Sequence, residues 1–82
     1  MDRIEKFLEK LDGGTLRRVK VAIACILAGD TEKLDIQPLH GWDGCYRCRI
    51  GAIRIVYRKF VGNLYGIVDI GLRKDIYKRL RK

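Results

Sequence analysis

The chain has 82 residues, with 18 Lys or Arg against 10 Asp or Glu, a net charge of +8 and 48% apolar residues. That length suits one domain, 1–82, and the apolar share excludes a disordered chain. The longest apolar run, 21–28, falls well short of the roughly 20 residues that a membrane span needs.

The first ten residues, MDRIEKFLEK, are charged and periodic and contain no apolar signal core. A soluble, cytoplasmic protein with no membrane partner is expected. Asp2 can cap a first helix, with Glu5 three residues later in a capping-box arrangement. Ile4, Phe7, Leu8 and Leu11 then form one apolar stripe at helical spacing. Gly13-Gly14 should stop that helix, and Thr15 should cap the next. Leu16, Val19, Ala22, Ile23, Ile26 and Leu27 make the buried face of the second helix, which ends at Gly29-Asp30. So short a turn predicts an antiparallel helical hairpin.

Over 31–44 the periodicity breaks, and Pro38, Gly41 and Gly44 mark a loop. Alternation begins at 45–50, where Tyr46, Cys48 and Ile50 face one way and Arg47 and Arg49 the other. Gly51 allows a tight turn. In 52–60, Ile53, Ile55 and Tyr57 share one face, and Arg54, Val56 and Arg58 the opposite one. Gly62-Asn63 reads as a hairpin turn before the mostly apolar strand 64–70. A short helix over 74–81 carries Ile76, Tyr77 and Leu80. The order predicts an α+β fold: a helical hairpin on one face of an antiparallel sheet of about three strands, then a short C-terminal helix.

Charge divides unevenly along the chain. Residues 1–44 hold seven basic and eight acidic groups, whereas 45–82 hold eleven basic groups and only Asp69 and Asp75. A field of that sign attracts polyanions. The sheet face away from the helices should carry Arg47, Arg49 and Arg54, with Arg58 near the strand end. Neighbouring strands lie about 5 Å apart, so these guanidinium groups should crowd and favour an anion between them. A guanidinium suits phosphate because its planar fork donates two hydrogen bonds at once. Arg73 and Tyr77 could close the rim of this cluster.

Other chemistries are poorly served. The three cysteines, Cys25, Cys45 and Cys48, are odd in number and irregular in spacing, which argues against a disulfide framework. Cys45-x-x-Cys48 is half a zinc motif, but the second pair of ligands is missing. The basic half has no paired carboxylates for a Mg²⁺-assisted nuclease. No metal and no cofactor are expected. The single histidine, His40, sits in the loop. Any catalysis would rest on cations that stabilise charge on a phosphate, with a phenol or Arg for proton transfer.

The run L39-H-G-W-D-G-C-Y-R-C-R-I-G-A-I-R-I-V-Y-R58, then I-V-D-I-G71 and L72-R-K-D-I-Y77, resembles the RelE/ParE toxin superfamily of toxin–antitoxin systems. The resemblance covers roughly 2–80 and is most specific over 39–77. It implies a helical hairpin on a curved antiparallel sheet. It also implies a metal-free, ribosome-dependent mRNA endonuclease, in which the ribose 2′-hydroxyl attacks the adjacent phosphate to leave a 2′,3′-cyclic phosphate. Carried over by position, Arg54, Arg73 and Tyr77 are the expected catalytic residues, and Arg47, Arg49 and Arg58 the expected RNA and phosphate contacts. The implied partners are an acidic antitoxin and mRNA on the ribosome, with rRNA contacts, and the free protein should be monomeric. Two alternatives stay open: a ParE-like inhibitor of DNA gyrase without catalysis, and an inactive relative that only binds RNA or protein. The family's usual strand before the first helix has no counterpart residues here, so three strands with one open edge are expected.

Overall fold

The computed structural model describes residues 2–80. Helix α1 spans Arg3–Glu9 and α2 spans Gly13–Ala28. As expected, the Asp2 carboxylate accepts from the Glu5 N–H at 2.9 Å and starts α1. The start of α2 differs from expectation. Asp12, not Thr15, is the cap: its carboxylate accepts from the Thr15 N–H at 2.8 Å and the Thr15 hydroxyl at 2.9 Å. A carboxylate is the stronger acceptor, and its charge suits the positive end of the helix. Gly13 and Gly14 therefore lie in the first turn of α2 rather than between the helices.

Four strands follow, not about three: β1 Asp35–Pro38, β2 Cys45–Ile50, β3 Ile53–Phe60 and β4 Leu64–Leu72. They form an antiparallel meander in the order β1-β2-β3-β4. The extra strand, β1, comes from the stretch expected to be all loop. Only Ile36 turns toward the core, opposite Cys48, while Asp35 and Gln37 face the other way. So short a strand, polar on its outer face and ending in proline, is suited to a sheet edge.

The helical hairpin covers one face of the sheet, as expected. Val19, Ala22 and Ile26 of α2 meet Cys48, Ile53, Ile55, Tyr57 and Ile70 in a dry core. Leu27 is half exposed and does not join it. Tyr57 stacks on Tyr46 at 5.5 Å and meets Tyr65 edge-on at 6.1 Å. Burial pushes the Tyr57 phenol up to about 12.

A bulge in β4 decides what the second face contains. Val56 pairs with Asp69, yet Tyr57 pairs with Ile67, so Val68 is the extra residue. Without the bulge Ile67 and Asp69 would share a face. With it, Ile67 packs on the core, and Asp69 turns to the opposite side beside Val56.

That opposite side is not an open basic plain. Helix α3, Arg73–Arg79, lies across part of it, and position 81 of the expected 74–81 helix lies outside the described residues. The fully buried Ile76 comes close to Gly71, where a side chain would meet Ile76 at 3.4 Å and Arg79 at 2.6 Å. The start of α3 is tied to the β2–β3 turn by the Arg73 N–H, which donates to the Ala52 carbonyl at 2.9 Å. No described helix is long and apolar enough to cross a membrane.

Candidate functional site

Strand β1 changes the surroundings of the expected arginine cluster. Arg49 does face Arg54 across the β2–β3 pair. The crowding is relieved by protein acceptors, however. Arg49 pairs with Asp35 at 2.8 Å, and Arg47 donates from Nη2 to the Gln37 side chain at 2.9 Å. Arg54 is only 7% exposed and folds back, donating from Nη1 to the carbonyls of Gly51 at 2.7 Å and Ile53 at 3.1 Å. Arg58 lies over the Phe60 ring at 5.5 Å. Arg73 lies over the Tyr77 ring at 5.9 Å.

Among the described residues, two donors are left over: Arg47 Nη1 and Arg54 Nε are buried with no hydrogen-bond partner there. A buried donor without a partner costs roughly 1–3 kcal/mol, and more when it belongs to a charged group. An anion reaching either nitrogen would recover that loss.

Arg47 opens into a cleft of about 420 Å³. Gln37 and Pro38 of β1, Leu39, His40 and Trp42 of the following loop, Arg47 of β2, and Tyr77 and Leu80 from the region of α3 form its walls. Of the expected site residues, the structure thus brings Arg47 and Tyr77 together, with Arg73 joined to them through the Tyr77 ring. Arg49, Arg54 and Arg58 are not cleft walls.

His40 and Trp42, expected in a plain loop, join the cleft walls. That loop is made of two consecutive turns. The Trp42 N–H donates to the Leu39 carbonyl and the Cys45 N–H to the Trp42 carbonyl, each at 3.1 Å. Gly41 and Gly44 sit third in these turns with φ of 84° and 76°, a conformation other residues adopt only with strain. The spacing of the two glycines is the signal that could have shown a folded loop. What it could not show was the pairing of β1 that swings the loop toward α3.

A larger groove, about 620 Å³, runs between α2 and the β1–β2 edge. Its walls mix apolar Val21, Leu34 and Ile50 with basic Arg17, Arg18 and Lys33. It holds no histidine or tyrosine and suits binding better than chemistry. Among the described residues, no three His, Cys, Asp or Glu side chains gather where they could hold a metal ion. Cys48 lies in the core, where burial pushes its thiol up, and Cys45 points to the opposite face; neither pairs in a disulfide.

No protein-family model matches the sequence. No curated protein matches it either. Among solved structures, the chain is similar to one chain of the crystal structure of a RelB-RelE antitoxin-toxin complex from Methanococcus jannaschii. The TM-score is 0.75 at 27% identity, over 98% of this chain and 95% of that one.

Proposed function

We propose that this protein is the toxin of a type II toxin–antitoxin system and cuts mRNA on the ribosome. The observation that carries the reading is the Arg47–Tyr77 cleft, with a buried guanidinium N–H that has no acceptor among the described residues. The likeness to a chain of a RelB-RelE complex along nearly the whole length supports the toxin–antitoxin setting. The strong positive charge and folded sheet fit the toxin role rather than that of an acidic, wrapping partner.

The cleft supplies positioning and charge, which is most of what this chemistry needs. The ribose 2′-hydroxyl attacks the neighbouring phosphate, and negative charge grows on the non-bridging oxygens. Arg47 stabilises that charge from the cleft wall, and Arg54, outside the cleft, holds the β2–β3 turn through the Gly51 carbonyl. Arg73 holds the Tyr77 ring, against which a base can stack. Arg49 and Arg58 guide the RNA backbone across the face. An acidic antitoxin segment settles on the basic surface, with the groove rimmed by Arg17, Arg18 and Lys33 as one of its seats.

The test is growth after induction of wild type and of Arg47→Ala, with primer extension on a reporter mRNA from the same cells. Arrest with translation-dependent cuts in the wild type alone supports the proposal. Arrest without cuts would instead assign the protein to the gyrase-inhibiting branch, and no arrest to the inactive binders.

A further inference from the structure

We infer that His40 donates the proton to the departing 5′-oxygen in this cleft, an inference that rests on the ribonuclease reading above. Breaking the bond from phosphorus to the 5′-oxygen releases an alkoxide, a poor leaving group unless it is protonated as it departs. Among the described residues, the cleft walls carry three ionisable side chains: Arg47, Tyr77 and His40. A guanidinium does not release its proton in proteins, and a phenol is a weak acid near neutrality. Imidazole is the side chain whose ordinary proton exchange falls between pH 5 and 8.

His40 is also held in place. It occupies the second position of the Leu39–Trp42 turn, whose third position is the left-handed Gly41. The loop that carries it is closed at its base, where the Leu39 N–H donates to the Cys45 carbonyl at 2.9 Å. Two residues on, Trp42 adds a flat wall to the same cleft. Among the described residues, no carboxylate lines this cleft. The 2′-oxygen bonds to phosphorus as its proton passes to water in the open cleft. The bond to the 5′-oxygen breaks, and that oxygen takes its proton from the His40 imidazolium. Water then returns a proton to the imidazole.

The experiment uses the purified protein and ribosomes programmed with a short synthetic mRNA. One mRNA carries the natural linkage; a second carries sulfur in place of the 5′-bridging oxygen, a leaving group that needs no proton. His40→Gln should cut the natural mRNA about 10²–10⁴-fold more slowly in kcat, with KM little changed. It should cut the sulfur-containing mRNA at close to the wild-type rate. His40 is exposed, so the thermal melt of the variant should match wild type. Equal slowing on both substrates would overturn the proton-donor role. Unchanged cutting of the natural mRNA would remove His40 from the chemistry and leave the ribonuclease reading standing. No cutting by the wild type would overturn both.

Discussion

Two groups of arginines lie on the second face of the sheet, and they end differently. At the β4 edge, Arg3 and Arg79 converge on Asp69, at 3.3 and 2.9 Å. Asp69 is 2% exposed, and its other oxygen accepts from the Ile70 N–H at 2.9 Å. Every group there has a partner, and the cluster straps α1 and α3 to β4. Across the β2–β3 pair, the arginines outnumber their acceptors. Asp35, Gln37 and two carbonyls accept from some of their N–H groups, and among the described residues two buried N–H groups are left over. The first group uses charge for the fold. The second keeps unspent donors beside a cleft, which costs stability unless an anion arrives.

The sharpest way to break this contrast is to remove Arg47. Arg47→Ala should lower the cleavage rate by about 10²–10³-fold. The same change deletes a buried unpartnered donor, so the melting temperature should hold or rise. A large loss of stability would mean that Arg47 serves the fold like Arg79. Asp69→Ala should do the reverse. It removes two charged hydrogen bonds and should destabilise the protein by about 2 kcal/mol, visible as a fall in the denaturant midpoint. Cleavage per folded molecule should be retained.

Tyr77→Phe keeps the ring under Arg73 and removes only the hydroxyl. About a tenfold drop in cleavage, with an unchanged melt, is expected if the hydroxyl holds the substrate by one hydrogen bond. Unchanged cleavage would limit Tyr77 to stacking. Arg49→Ala should have a smaller effect. Its ion pair with Asp35 is open to water and contributes little to stability, about 0–1 kcal/mol. If Arg49 touches RNA backbone, its loss should reduce the salt slope of binding by about one phosphate contact.

The dry face provides the control that titrates. The Tyr57 phenol rises from its ordinary 10.0 to about 12 because burial disfavours the phenolate. The unfolded chain therefore loses this proton at lower pH than the folded one. The resulting stability is complete below pH 10 and is lost as pH rises toward 12. Tyr57→Phe should flatten that alkaline decline while leaving the second face unchanged. An unaltered alkaline curve would place the titrating group elsewhere.

Much of this arrangement is legible in the sequence, for reasons that differ by element. The stripes Ile4-Phe7-Leu8-Leu11 and Val19-Ala22-Ile26 are helical because the core selects one face at that spacing. In Cys45–Ile50 and Ile53–Phe60 the apolar residues Tyr46, Cys48, Ile50, Ile53, Ile55 and Tyr57 share a side because that side meets the hairpin. Strand β1 does not show itself, because Ile36 is its one core-facing residue and Pro38 reads as a breaker. The bulge at Val68 is equally silent, since a run of apolar residues carries no period to interrupt. Both gaps matter for the site. The bulge turns Asp69 into a strap for α3, and β1 delivers Asp35, Gln37, His40 and Trp42 to the cation cluster. Arg47 and Tyr77 are each visible in the sequence as candidates, in separate roles. Their meeting with His40 depends on a strand that polar residues conceal.

The chemistry of the cut end shows whether the 2′-hydroxyl is the attacking group. Purified protein is incubated, without added metal, with ribosomes carrying a defined mRNA, and the upstream fragment is weighed by mass spectrometry. An Arg47 guanidinium that stabilises attack by the 2′-hydroxyl in the cleft predicts a 2′,3′-cyclic phosphate from the wild type and almost none from Arg47→Ala. A 3′-hydroxyl end, or equal cutting by both proteins, would contradict it.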